Sequence, residues 1–214
     1  MPETHEEYDA IERANALTHG AGFLLSIAAV VLLARKGFST GELNITAGLL
    51  IYGASLVICY LASAVYHSIP FYKVRLRALF RRIDHIAIYF LIAGTHTPFI
   101  LQFMEGRSQI FYLSLLWGLV GLGILYKLFF FDRWEWLSLA FYVVMGWLGI
   151  VTVPQMSDAL TQDSVNWIII GGLLYTGGVF FYSRTGMRWH HVIWHLFVMA
   201  GSTAHFWAVW VSVK

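Results

Sequence analysis

The sequence predicts an all-α integral membrane protein, a bundle of seven transmembrane helices with the N-terminus cytoplasmic and the C-terminus outside. Three observations predict it. Of 214 residues, 58% are hydrophobic and 12% charged, whereas a soluble domain carries about 25% charged residues. With a mean hydropathy of +0.66, the chain needs a non-aqueous solvent. Seven stretches approach the roughly 20 apolar residues that cross a bilayer, and the cations between them are unequally divided.

The opening MPETHEEYDAIER is acidic and polar, the opposite of a signal peptide's basic start. Residues 1–15 therefore read as a short cytoplasmic tail, and the first apolar helix, about 16–34, as an uncleaved insertion signal. RKGFSTGE leads into the second span, about 43–66, and HSIPFYKVRLRALFRR (67–82) separates it from the third, about 83–103. MEGRS precedes a fourth span at about 109–130, and FDRWE a fifth at about 135–153. PQMSDALTQDS leads to the sixth, about 165–183, and the seventh covers about 190–212. No connection could hold a soluble domain, so residues 1–214 read as one membrane domain. Gly118, Gly121, Gly123, Gly146, Gly149, Gly171, Gly172, Gly177 and Gly178 are read as sites of close helix approach. With Cys59 as the single cysteine, no intramolecular disulfide can form.

Seven spans place the termini on opposite sides. The N-terminal side carries ten cations: Arg13, Lys73, Arg75, Arg77, Arg81, Arg82, Lys127, Arg133, Arg184 and Arg188. The other side carries four: Arg35, Lys36, Arg107 and Lys214. The richer side faces the cytoplasm, and the run KVRLRALFRR also suits anionic headgroups.

Ionisable residues gather at one depth. Ser63 and His67 share a face at the inner end of the second span, and Asp84 and His85 open the third. WHHVIWH (189–195) opens the seventh, with His191 and His195 one turn apart. Glu12, Asn15, Thr18 and His19 stand at the same end of the first span. The opposite half holds no comparable cluster. Ionisable groups inside a membrane are costly and mark function. A lone membrane histidine is as readily a hydrogen-bonded packing residue, but the joint set is harder to explain that way. His67, His191 and His195 form a zinc set: three imidazoles leaving the open fourth position of a catalytic site. A water there has its pKa lowered toward about 7. Asp84 can exchange a proton with it, and Ser63 can hydrogen-bond the water, Asp84 or a substrate carbonyl. His190 points away from His191, and His85 bonds locally. His96, His205 and Cys59 read as packing residues, and His5 belongs to the tail.

The segments ERANALTHGAG (12–22), LASAVYHSIP (61–70), RRIDHIAIYFLIAGTHTPF (81–99), LSLAFYVVMGWLGI (137–150) and HHVIWHLFVMAGSTAHF (190–206) together resemble the bacterial hemolysin III proteins. These belong to the progestin and adipoQ receptor family, whose wider hydrolase superfamily includes alkaline ceramidases. The resemblance spans all seven helices in order. It implies zinc on His67, His191 and His195 near the cytoplasmic side, with Asp84 contacting the zinc-bound water, Ser63 beside it, and a cytoplasmic N-terminus. It also implies links to hydrolysis of ceramide-like amides, to haemolysis and pore formation, and to membrane fluidity. The chain has no counterpart of the adiponectin receptors' long N-terminal domain, which implies a bare catalytic or structural core without hormone binding. The short loops suggest a bacterial origin.

The leading expectation is a zinc-dependent hydrolase in the plasma membrane, acting on a membrane lipid amide or ester that enters sideways between helices. The alternatives are a cytolytic pore, a sensor of membrane state with structural zinc, and a bis-histidine haem protein. A pore needs a polar stripe through the full membrane thickness, whereas these polar residues crowd into one half. Haem would leave Asp84 and the third histidine without a role.

Overall fold

The computed structural model describes residues 5–131, 133–156 and 158–213. Residues 1–4 of the expected tail and Lys214 of the charge count lie outside them. Every regular element among the described residues is helical, with no strand. In order they form α1 (His5–Thr40), α2 (Leu43–Ser68), α3 (Val74–Phe103), α4 (Gly106–Phe129), α5 (Glu135–Gly146), α6 (Gly149–Thr152), a 3₁₀ turn (Val153–Met156), α7 (Gln162–Tyr182) and α8 (His190–Ser212). Counting Trp136–Met156 as one span, seven helices among the described residues are long and apolar enough to cross a membrane. This is a seven-helix membrane bundle. Its outer surface is apolar, with Leu24, Leu25, Leu128, Leu173 and Leu196 all exposed, as contact with lipid requires.

Two helices run well beyond their apolar windows. α1 starts at His5 and not near residue 16, and α3 starts at Val74 and not near residue 83. Hydropathy marks the hydrocarbon layer, but the backbone hydrogen-bond ladder continues into the headgroup zone. Most of the basic run 73–82 is thus the first turns of α3, and the true connection is the short turn around Ile69 and Pro70, where Lys73 N donates to Pro70 O at 3.0 Å.

α2 packs between α1 and α3, α7 pairs with α8, and α8 closes the bundle against α1 and α3. The close approaches depend on missing side chains. A methyl group at Gly22 would lie 2.5 Å from Tyr60 Cδ1, and one at Gly48 would lie 2.8 Å from Pro98 Cα. Gly123 meets Tyr89, Gly171 meets His205, and Gly177 and Gly178 meet Phe197, as expected of interface glycines. Gly149 and Gly172 make only ordinary contacts. Gly118, Gly121 and Gly146 have open space around them, so their role is not close packing.

Each end of the bundle is pinned. At the distal end, where α8 finishes, Lys36 Nζ donates to Trp210 O at 2.6 Å and Gln102 Nε2 to Ser212 O at 2.9 Å. Both satisfy terminal carbonyls that the helix itself leaves unpaired. At the proximal end, where α1 begins, Glu7 pairs with Arg188 and Glu12 with Arg77. Between the ends lies a second polar layer that the sequence reading did not anticipate. Ser202 Oγ meets Tyr60 OH and Tyr175 OH, each at 2.7 Å, and Tyr52 OH donates to Ser202 O at 3.3 Å.

Candidate metal centre

The last turn of α2 and the first two turns of α8 meet at the proximal end. Their imidazole centroids stand 5.0 Å apart for His67–His191, 5.0 Å for His67–His195 and 4.7 Å for His191–His195. One ring nitrogen from each lies within 4.8 Å of the others, so the three could hold a metal ion. His67 and His195 are buried and His191 half-buried. The i, i+4 spacing puts both α8 rings on one face, and the packing of α8 beside α1 and α2 turns that face toward His67.

The hydrogen bonds fit this use. Glu12 Oε2 accepts from His67 Nδ1 at 3.1 Å, and His67 Nε2 is buried with no hydrogen-bond partner among the described residues. The Thr18 hydroxyl, with one proton to give, lies 2.9 Å from the carbonyls of both Ala14 and Asn15 and 3.2 Å from His195 Nδ1; donation to either carbonyl leaves its oxygen to accept from Nδ1–H. The Glu12 carboxylate, which can only accept, fixes the His67 proton on Nδ1 and leaves its Nε2 for the centre, as in carboxylate–histidine–metal arrangements; with Thr18 as acceptor His195 takes the same tautomer.

Asp84 and Ser63 are buried beside this cluster. Ser63 Oγ lies next to the Asp84 carboxylate but outside hydrogen-bonding geometry. His85 bonds locally, donating from Nδ1 to Arg81 O at 2.8 Å. His190 turns away toward Tyr182 O at 3.2 Å. The five predicted site residues therefore come together, and the two neighbours set aside stay out. His19, unassigned in the sequence, stacks on His195 with centroids 3.5 Å apart. Its nitrogens and Asn15 Oδ1 are buried without hydrogen-bond partners among the described residues.

Glu12 and Thr18 acquire roles that the sequence did not give them. For Glu12 the available signal was spacing, since Glu12, Asn15 and His19 recur on one face of α1; Thr18 lies off that face and had none. Beyond the histidines opens a cavity of about 130 Å³, running between α3, α5, α7 and α8. Asp84, Ser63 and Cys59 line its proximal part, and its walls are mainly apolar, with Leu91, Ile92, Leu139 and Val143 among them.

The family described as haemolysin-III related matches residues 10–206. The hemolysin-3 homolog of Bacillus subtilis is 41% identical over 198 residues, 92% of either chain. The chain belongs to the haemolysin III family. Hemolysin-3 of Bacillus cereus is 39% identical, covering 92% of this chain and 90% of its own. The monocyte to macrophage differentiation factor of Homo sapiens is 30% identical over 92% of this chain and 82% of its own. More distant likeness to adiponectin receptor proteins places the haemolysin III family within the progestin and adipoQ receptor group.

Proposed function

We propose that this chain is a zinc-dependent hydrolase of a membrane lipid amide or ester, held in the cell membrane with its N-terminus in the cytoplasm and serving membrane-fluidity homeostasis. The observation that carries the reading is the convergence of three imidazoles, that of His67 with a buried and unpartnered Nε2 among the described residues, at one end of a largely apolar cavity that also holds a buried carboxylate. When bound, zinc supplies Lewis acidity and lowers the pKa of water at neutral pH. Asp84 takes a proton from the attacking water and returns it to the leaving group. Ser63 donates a hydrogen bond to the substrate carbonyl. Glu12 and Thr18 hold two of the rings in one tautomer. The apolar walls take the acyl chain and exclude bulk water. The bacterial relatives support a cell-membrane location, and the excess of cations at the proximal end supports the orientation.

The test is metal content of detergent-purified protein, followed by cleavage of lipid amides. About one zinc per chain is expected in wild type and in Asp84→Asn, none in His191→Ala, and turnover only in wild type. Absence of zinc from wild type purified without chelators refutes the reading, and full turnover by Asp84→Asn removes the role given to that carboxylate. The name of the Bacillus cereus relative carries a rival, cytolytic reading. Dye release from liposomes by the wild type, unchanged in His191→Ala, would favour it.

A further inference from the structure

The cavity has a second polar point that the metal centre does not use. His96 on α3 and His205 on α8 line its wall away from the metal cluster. His205 follows His195 by ten residues, about 15 Å of helix rise. The wall between is formed largely by apolar side chains, Val198 and Ile92 among them.

His205 is fixed in one orientation. Its Nε2–H donates to Ile168 O at 3.2 Å. Its ring fills the space that a side chain at Gly171 would need, and Tyr175 lies against it with centroids 5.5 Å apart. A neutral imidazole protonated on Nε2 carries only a lone pair on Nδ1. That Nδ1 is buried and has no hydrogen-bond partner. Neighbouring hydroxyls are already engaged: Thr95 donates to Leu91 O at 2.7 Å, and Tyr175 OH meets Ser202 Oγ at 2.7 Å. His96 faces the backbone of Met145 and Gly146, where the fifth span breaks. His205, which lines the wall, thus carries a pinned acceptor that no donor among the described residues satisfies. Unpaired acceptors are unfavourable in so apolar a setting, and ionisable residues at this depth mark ligand paths.

We propose that His205 Nδ1 accepts a hydrogen bond from a hydroxyl on the acyl chain of the lipid, so that the cavity selects hydroxylated acyl chains. With the carbonyl at Asp84 and Ser63, that hydroxyl lies about a dozen carbons along the chain, from the helix rise of about 15 Å. The inference rests on the lipid-hydrolase reading and names its substrate class.

The test uses three radiolabelled fatty amides of equal length: plain, hydroxylated at carbon 12, and methoxylated at carbon 12. Equilibrium binding is measured in detergent on metal-loaded protein carrying Asp84→Asn, which is expected to keep zinc without cleaving the amide, with wild type and variant differing only at position 205. The hydroxylated probe should bind wild type about tenfold more tightly than the plain one, the value of one buried hydrogen bond. The methoxy probe, which has no donor, should lose that advantage. His205→Phe should bind plain and hydroxylated probes alike, with metal content retained as evidence of folding. If that variant does not fold, the wild-type comparison of the three probes decides alone. Equal binding of plain and hydroxylated probes to wild type, or an undiminished advantage of the methoxy probe, overturns the inference and leaves the hydrolase reading standing. No binding of any probe removes both.

Discussion

Replacing Glu12 by alanine should loosen the metal without unfolding the bundle. Glu12 accepts from His67 Nδ1 at 3.1 Å, with the two side chains 16% and 3% exposed. The substitution frees the His67 ring to turn and to change tautomer, and it takes a negative charge from beside the ion. Loss of such outer partners typically lowers metal affinity 10- to 100-fold, about 1.4–2.8 kcal/mol at 1.4 kcal/mol per decade. The upper part of that range is expected here. The pair is largely shielded from water, and Glu12 is also the partner of Arg77, whose cation would be left facing the site. Glu12→Gln keeps an oxygen acceptor for Nδ1–H but loses the charge, so it should fall about tenfold. The assay is competition with a chromophoric chelator in micelles at fixed pH, with far-UV circular dichroism as the fold control. Zinc affinity of Glu12→Ala within twofold of wild type would refute the reasoning.

Thr18→Val removes the acceptor for His195 Nδ1–H; because that bond is neutral, zinc affinity should fall only about fivefold in the same competition assay. Gly22→Ala forces a methyl group against the Tyr60 ring and should cost about 1–3 kcal/mol, seen as a lower Tm in detergent. Gly118→Ala, with nothing within 4 Å, should leave Tm unchanged or raise it, since alanine is the better helix former by about 1 kcal/mol. Ser202→Ala deprives Tyr60 and Tyr175 of a shared partner. At about 0.6 kcal/mol per interhelical bond in a membrane, it should lower stability by about 1 kcal/mol, measurable by denaturation in mixed micelles.

The histidine cluster was legible because two simple rules overlap. Spacing of four fixes His191 and His195 on one face, and alternation of spans brings the end of the second helix to the start of the seventh. The last span, His190–Ser212, follows its apolar window residue for residue. The starts of α1 and α3 were not legible, since hydropathy is silent about helix that continues into the headgroup zone. Glu12 and Thr18 escaped for another reason. Each acts on a ring from a different helix, so its role exists only once α1 has packed against α2 and α8. The acceptor at His205 is likewise a consequence of packing, made by a contact to the Ile168 backbone that no side-chain pattern encodes. Among the glycines, composition could not separate Gly171, which receives a ring, from Gly118, which faces outward.

The centre takes its parts from both extremes of the chain: Glu12 and Thr18 from the first helix, His67 from the second, His191 and His195 from the eighth. During synthesis, 124 residues separate His67 from His191, roughly 6–25 s at about 5–20 residues per second. Throughout that interval the ribosome has delivered one ligand and its carboxylate, and no ion can be held by three imidazoles. On the proposed function, capture of an ion must wait until the start of α8 has joined α1 and α2. A product that stops short of α8 would carry six apolar spans and lack two of the three imidazoles, His191 and His195.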